Sequence, residues 1–336
     1  MFRPLCTLPL PGLLSSKLRE LGFMYCDDVC FDRNGKPILD PIAEKVLRQW
    51  SDEPCTYWKE LLATPATKNA FSHLQDECDL GRIETFCRSL DEYMDGGVPL
   101  QRITEFSGAP GSGKTQMCLH LCVDVQIPRA FCGLEGQAVF VDSCSAFTVS
   151  RLSEIAEACV NHCSMLARDG LNQNMLQAMK HFSKISILEN VFHVLCFTHV
   201  DLMASIIYLK KFLSEHRQVR LIVIDSITFA LQTIDNALQR VSLLYDLMEN
   251  LRTIASEFDV AVVVTNNLTT KVETEKESSL IPALGESFGH SVNYRFLLGR
   301  TTDSNFVCVS GKNLNKSSVT VPFQITRSGI REVQNN

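Results

Sequence analysis

None of the 14 cysteines forms a C-x-x-C pair, so the usual thiolate spacing of a zinc ribbon or finger is missing. Cys26/Cys30, Cys118/Cys122 and Cys159/Cys163 stand four apart, and no histidine pair lies beside them in a ligand pattern. The last two pairs fall in apolar, helix-like stretches, where thiols act as small buried hydrophobes. No run of 18 apolar residues exists, so no membrane span is expected. Met1–Leu14 holds three prolines and no central apolar run. It does not read as a signal peptide, and a reducing compartment is expected. A basic excess is also lacking, since the net charge is −6 and the pI about 5.8. Residues 1–75 carry nine Lys/Arg and nine Asp/Glu, so the whole −6 falls on residues 76–336, with 23 against 29. Such a chain is no general polyanion binder, and any nucleic-acid contact must be local or shared with a partner. Only two tryptophans occur, Trp50 and Trp58, both read as core of a small N-terminal bundle. Internal repeats and low-complexity tracts are absent.

What is present is a phosphate-binding signature. Gly108-Ala109-Pro110-Gly111-Ser112-Gly113-Lys114-Thr115 fits G-x-x-x-x-G-K-[ST]. The glycines let the backbone close on an anion with several N–H groups turned inward. Lys114 is placed to meet the β- and γ-phosphates, and the Thr115 hydroxyl to ligand Mg²⁺. Ile103–Phe106 before the loop reads as a strand and Thr115–Val123 after it as a buried helix, which turns its positive end to the phosphates. Farther on, Leu221-Ile222-Val223-Ile224-Asp225 is an apolar strand ending in a carboxylate. Together with the loop, Asp225 is the expected holder of Mg²⁺, directly or through water. ATP and Mg²⁺ are therefore the expected cofactors.

With 336 residues, 45% of them hydrophobic, there is material for one large domain and a small one. Residues 1–65 read as a small helical unit, with helices at Ser15–Gly22, Asp40–Trp50 and Asp52–Leu62. Residues 66–80 read as a linker with a docking segment at Ala70-Phe71 and Leu74. From 81 to 336 strands and helices alternate. Strands are expected at Ala138–Asp142, Val191–Phe197, Val219–Asp225 and Val260–Asn266. Helices are expected at Val149–Ala167, Leu202–Glu215 and Ala237–Glu257, and a polar, helix-compatible stretch at Leu171–Lys184. Solid apolar strands separated by helices imply a parallel sheet covered on both faces. Val292–Leu298, Asn305–Ser310 and Ser318–Thr326 follow without helices between them and read as an antiparallel extension.

Longer phrases carry a resemblance. Ser89–Pro99, Ile103-Thr104-Glu105 and Gly108–Gln116 are similar to the lead-in of the RecA-like strand-exchange recombinases of eukaryotes. Asp124–Pro128, Ala138–Asp142, Leu221–Ser226 and Thr265-Asn266 continue the match. Thr85-Phe86-Cys87, Phe212–His216, Pro282–Ser287 and Phe323-Gln324-Ile325 resemble the family's C-type paralogue branch. The likeness runs from about Asn69 to Glu332 and is weaker before that. It implies a RecA-like P-loop ATPase core: a mainly parallel sheet with helices on both faces and an antiparallel C-terminal extension, preceded by a small helical domain. By the same resemblance Arg151 matches the arginine that packs on adenine, with a solvated helix-start arginine as the other reading. Phe229–Arg240 and Thr269–Gly285 match the two DNA-facing loops, with Arg240 in the first and Lys271 and Lys276 in the second. Glu273, Glu275 and Glu277 surround those lysines, so a solvated charge run and a strand-binding loop both fit. His290 matches the histidine at the exit of the second loop, with a structural histidine as the other reading. Ala70 and Phe71 match an extended segment that adds to a neighbour's sheet edge; packing on the chain's own core is the alternative.

Two departures bear on chemistry. The family strand ends Asp-Thr-Glu-Gly, and its Glu polarises the attacking water. Here the chain reads Asp142-Ser143-Cys144-Ser145, with Cys144 in the catalytic position. A neutral thiol is a poor proton acceptor. Asn267 stands where the family commonly has a Gln as γ-phosphate sensor, and is one methylene shorter. The resemblance thus implies an ATP-binding recombinase paralogue of homologous recombination and double-strand break repair, a meiotic role included. It would assist assembly of the recombinase filament on single-stranded DNA. Implied partners are another recombinase paralogue, the strand-exchange recombinase filament and single-stranded or branched DNA, with no membrane; the implied location is nuclear, also cytoplasmic. An enzyme with DNA-dependent ATPase and strand-exchange activity of its own is the alternative. A small-molecule kinase is disfavoured, because no arginine-rich acceptor lid is visible. Because counterion release scales with phosphates neutralised, the purified chain is expected to bind single-stranded DNA weakly, with a shallow salt dependence. Tight binding that collapses steeply between low and physiological salt, measured by fluorescence anisotropy, would instead favour the strand-exchange enzyme.

Overall fold

Strands that are apolar at every position need cover on both faces, and the chain supplies it with helices. The computed structural model describes residues 4–8, 10–30, 39–51, 53–55, 57–58, 68–170, 173–232, 234–274, 277–301, 305–312 and 320–333. The chain divides into two units, Met1–Asp76 and Glu77–Asn336.

In the first unit, helices Gly12–Glu20, Cys26–Cys30 and Pro41–Leu47 enclose Leu14, Leu18, Ala43, Leu47 and Trp58. Asp40 starts the third helix by accepting from the backbone N–H of Ile42 and Ala43, with Pro41 at the first helical position. Of the helix expected at Asp52–Leu62, Pro54, Cys55, Tyr57 and Trp58 are helical and the remainder lies mostly outside the described residues. Trp58 is buried as expected; Trp50 is not core, with 38% of its surface exposed. The segment that the resemblance casts as extended is a helix over Ala70–Cys78. Asn69 is the reason: its side chain accepts from Ser72 N at 2.8 Å, an N-cap that commits the following turn. No residue of this helix is buried, and Phe71 is 67% exposed.

Among the described residues, the main sheet of the second unit has nine strands. In chain order they are β3 (Ile103–Gly108), β4 (Gln137–Asp142), β5 (Val191–Leu195), β6 (Val219–Asp225), β7 (Ala261–Asn266), β10 (Tyr294–Arg300), β11 (Phe306–Lys312), β12 (Thr320–Thr326) and β13 (Gly329–Glu332). Two short strands, β1 (Arg82–Ile83) and β2 (Val98–Pro99), pair separately, as do β8 (Leu268–Thr274) and β9 (Glu277–Pro282). The sheet order is β13-β12-β11-β10-β3-β7-β6-β4-β5. Every pair from β10 to β5 is parallel, and β10 to β13 are antiparallel. The expected mainly parallel sheet with an antiparallel extension is thus what forms. Alternate residues of one strand feed opposite cores: Ala138 and Phe140 face one, Val139 and Val141 the other. On the first face lie the helices Lys114–Asp124 and Val149–Asp169, on the second His199–Glu215 and Ala237–Phe258. Thr198 and Asp201 form a capping box for His199–Glu215, and Asn236 caps Ala237–Phe258. Within the polar stretch 171–184 one short helix forms, Gln173–Ala178, and another, Lys184–Glu189, begins at its last residue.

A polar pair is buried on the first face. His120 Nε2 lies 2.8 Å from Thr85 O, and Nδ1 has no partner. Asp124, one turn on, is fully buried with neither carboxylate oxygen hydrogen-bonded. Burial pushes Asp124 well above the carboxylate range, while burial, with Arg331 and Arg151 adding repulsion, pulls His120 down to about 3. The unfolded His120 titrates near 6.5. Between these values the unfolded chain binds the extra proton, so this group's stabilising contribution is present above pH 6.5 and is lost as pH falls toward 3. Acidification from pH 7 to 5 is expected to remove about 2 kcal/mol through His120. Burial raises Asp91 to about 6 and Asp124 well above its usual range, and both work in the opposite sense on acidification, so the comparison must be with a variant. Denaturant melts of parent and His120→Gln at both pH values should show the pH-induced loss smaller by that amount in the variant; equal losses would contradict the assignment.

Candidate nucleotide site

Parallel strands deliver their carboxyl ends to one edge, and here that edge is polar. Gly108 closes β3, Asn266 closes β7, Asp225 closes β6 and Asp142 closes β4. These strands are consecutive in the sheet. The loop leaving β3 requires its glycines. A Cβ on Gly108 would meet Ser112 Oγ at 2.2 Å and Leu298 O at 2.5 Å. Gly111 and Gly113 have φ of +79° and +94°, a region side chains rarely adopt. The helix Lys114–Asp124 then starts with no side-chain cap and no acid in its first turn. Its leading N–H groups are left for an external acceptor.

Lys114 Nζ donates to Gly108 O at 2.7 Å and Ala109 O at 3.2 Å, so the ammonium lies over the loop. Burial lowers its pKa, and Asp225 opposes the shift. Thr115 Oγ1 donates to Asp225 Oδ2 at 2.6 Å, and Thr265 Oγ1 donates to the other oxygen. Burial raises Asp225 above the usual carboxylate value in spite of these donors. Ser112 Oγ is buried with no hydrogen-bond partner. An uncapped helix start, an unpaired buried hydroxyl, a lysine over the loop and a hydroxyl–carboxylate pair suit a phosphate chain with a hard cation. Gly108 to Thr115 and Asp225 are thus brought together as the sequence suggested.

The turn after β4 holds Cys144. Its Sγ lies 3.6 Å from Ser226 Oγ and 3.7 Å from Ser143 Oγ. Ser143 and the Ser226 backbone exchange hydrogen bonds at 2.8 and 2.7 Å, which fixes the turn beside the end of β6. Asp142 is no substitute base. Its carboxylate accepts from the backbone N–H of Cys144, Ala146 and Phe147 at 3.0 to 3.1 Å and so builds the turn itself. His193 lies 3.4 Å from Asp142 and stacks on Phe147. It stands on β5, four strand positions from β3, or about 19 Å at ordinary strand spacing. That is too far to serve a reaction at the phosphate loop.

The remaining candidates are placed less centrally. Arg151 sits beside the loop's helix through Gln116 at 2.7 Å. Its guanidinium also donates to Glu154, Thr326 O and Arg327 O, which ties it to the β12–β13 turn. Asn267 leaves β7 and donates its N–H to Thr228 Oγ1 at 3.2 Å. The stretch expected as a first DNA-facing loop is largely helical: Ile227–Leu231, a link, then Ala237 onward, with Arg240 half-buried in the long helix. The second forms the β8–β9 hairpin, which strand patterning did not reveal. Lys271 is in β8 with its side chain outside the described residues, and Lys276 lies outside them altogether. His290 is exposed on the short helix Gly285–Ser291 that follows. Sequence reasoning missed Ser143, Ser226 and Thr265, whose roles depend on strand neighbours far apart in the chain.

Comparison with known proteins agrees with this geometry. A family model described as Rad51 matches residues 78–333. The chain is 33% identical over 343 residues to a Cricetulus griseus protein named DNA repair protein RAD51 homolog 3, covering 99% of this chain and 93% of that one. It is 36% identical over 254 residues to a Dictyostelium discoideum protein of the same name, covering 75% and 65% respectively. The DNA repair and recombination protein RadA of Aeropyrum pernix is 28% identical over 273 residues, 79% of this chain and 77% of its own.

Removing the Lys114 ammonium leaves phosphate charge poorly matched in a loop shaped for it. Lys114→Ala is expected to weaken nucleotide binding by about tenfold or more with an unchanged circular dichroism spectrum. A fluorescent-nucleotide titration showing equal affinity in parent and variant would overturn the site.

Proposed function

The chain belongs to the Rad51 family, and on that premise we propose that it is an ATP-binding recombinase paralogue of homologous recombination and double-strand break repair. In this reading it joins a second recombinase paralogue and helps the strand-exchange recombinase assemble on single-stranded DNA, in the nucleus and with meiotic cells included. ATP with Mg²⁺ acts chiefly as a ligand that fixes conformation and interfaces. The observation that supports this reading is a contrast between side chains at one edge of the sheet. Lys114, Thr115 and Asp225 are set for binding. Cys144, backed by a fully engaged Asp142, supplies no carboxylate for the water.

Within this reading Lys114 would meet the β- and γ-phosphates, and Thr115 with Asp225 would hold the cation. Mg²⁺ supplies neutralisation of phosphate charge and polarisation of its oxygens. Arg151 would border the base, Asn267 would approach the γ-phosphate, and Arg240, Lys271, Lys276 and His290 would lie toward DNA. Ala70 and Phe71 are the candidate docking element; the exposure of Phe71 supports a partner over the chain's own core.

The second reading, an ATPase with strand-exchange activity, is favoured by the intact loop and Asp225. Turnover separates the two. A positioned proton acceptor is worth about 10²- to 10⁴-fold in rate. The parent is expected to hydrolyse ATP very slowly with or without single-stranded DNA, and Cys144→Glu to raise turnover at saturating ATP in the presence of the copurified partner. Rapid turnover by the parent that survives Cys144→Ala would transfer the assignment to the second reading.

A further inference from the structure

The amino ends of the central strands form a second polar edge, and a cavity of about 370 Å³ opens there. It lies at the start of β4, which Gln137 opens and Asp142 closes, so about 17 Å of strand separates it from the nucleotide edge. Three segments wall it. The link between the helix Lys114–Asp124 and β4 brings Arg129 and Glu135. The stretch between Gln173–Ala178 and Lys184–Glu189 brings His181, and the start of β6 brings Arg217 and Arg220. Backbone bonds fix the link: Glu135 N donates to Ile127 O at 2.9 Å, Gly136 N to Val125 O at 2.8 Å and Gln137 N to Gln218 O at 2.8 Å. Gly136 is required, since a Cβ there would meet Arg220 Cγ at 2.6 Å. Buried Gln126 donates to Cys122 O at 2.8 Å and Ile187 O at 3.1 Å, which ties the link to the helix Lys184–Glu189.

The charge of the cavity is one-sided. Three guanidiniums reach it against one carboxylate, in a chain whose net charge is −6. That carboxylate, Glu135, stands 4.0 Å from Arg129 Nε, beyond hydrogen-bond range. Arg220 Nη1 donates to Val219 O at 3.3 Å and Phe258 O at 3.2 Å, which satisfies the donor and neutralises no charge. Arg217 lies over the Phe258 ring, 5.7 Å from its centre, and has no hydrogen bond or ion pair among the described residues. Glu257 and Asp259 line an adjoining smaller recess, but Asp259 already accepts from Gln101, and neither pairs with an arginine among the described residues. Asn190 accepts from Gln137 at 2.8 Å, which leaves its own amide N–H groups to donate.

Cations gathered without counter-charge attract an anion, and planar guanidinium forks suit phosphate. No open ring is offered for a base to stack on: Phe182, the one phenyl ring of the wall, is only 7% exposed. The phosphate itself must carry the recognition. A monoester presents three acceptor oxygens and about −1.5 to −2 charges, which matches three guanidiniums. A diester presents two free oxygens and one charge, and its chain must leave the recess at both ends.

We propose that this cavity binds a phosphate monoester through Arg129, Arg217 and Arg220, at the sheet edge opposite the nucleotide site. The ester is borne by a small free molecule or by a phosphorylated serine or threonine of a peptide, and the experiment separates these sources. The site stands whether or not the phosphate loop takes nucleotide.

Calorimetric titration of the full chain tests this, with Mg²⁺ and a saturating non-hydrolysable ATP analogue present to occupy the phosphate loop. The probes are inorganic phosphate, an end-blocked Ala-phosphoserine-Ala tripeptide, its unphosphorylated form, and a thymidine dinucleotide with one phosphodiester. The phosphotripeptide is expected to bind one per chain, and the unphosphorylated tripeptide and the dinucleotide at least about tenfold more weakly. Tighter binding of the phosphotripeptide than of phosphate assigns the ester to a peptide, and equal binding assigns it to a small molecule. Arg217→Gln is expected to weaken binding about tenfold, and Arg129→Gln added to it to weaken binding further. Both side chains are exposed, so both variants should keep the parent's circular dichroism spectrum. No binding of either phosphate probe, equal binding of the dinucleotide, or parent-like affinity in the double variant would overturn the site.

Discussion

The hydrogen bond from Thr115 to Asp225 holds the two halves of the core in register. Thr115 follows the loop from β3, and Asp225 ends β6, with β7 between them. Two strand spacings, about 10 Å, are therefore bridged by a chain that folds back over its own sheet. Thr265 on the intervening β7 donates to the same carboxylate, so three neighbouring strands are pinned at one point. A displaced β6 would break both bonds and leave Asp225 buried with no donor. The carboxylate is expensive to bury and secure only while the strand order is kept.

On the proposed reading, binding and turnover would be served by different strands at this edge. β3 and β6 supply the cradle, while the turn after β4 supplies the residue at Cys144. That turn has no need of a glutamate for its own shape. Its geometry comes from Asp142, which collects three backbone N–H groups, and from the exchange between Ser143 and Ser226. The shape of this turn therefore does not depend on the side chain at position 144.

What could be read from the sequence follows from how much of each element is buried. β4, β6 and β7 were legible because both faces pack, so their central positions are apolar without alternation. The phosphate loop was legible because its requirements are local. β13 was not, since Arg331 and Glu332 interrupt a strand of only four residues. The β8–β9 hairpin escaped for a related reason: its Lys and Glu residues look like a solvated run, and its pairing is visible only in space. The helix at Ala70–Cys78 was obscured by the resemblance to an extended segment, although Asn69 gives a local capping signal. Arg129, His181 and Arg217 come from three separate segments, and no periodicity announces their meeting.

The antiparallel extension is also part of the floor of the nucleotide site. A Cβ on Gly113 would strike Ile325 Cδ1 at 2.7 Å, Arg151 is held by the carbonyls of Thr326 and Arg327, and Gly329 lies against His120. These contacts join residues 113–151 to residues 325–329, across most of the core sequence. During vectorial synthesis the phosphate loop leaves the ribosome about two hundred residues before its last supports, or some ten to forty seconds at ordinary elongation rates. For that interval the nascent core must carry an unfinished loop with its apolar underside uncovered. A chain that stopped before Ile325 would lack these supports while keeping every residue of the loop itself.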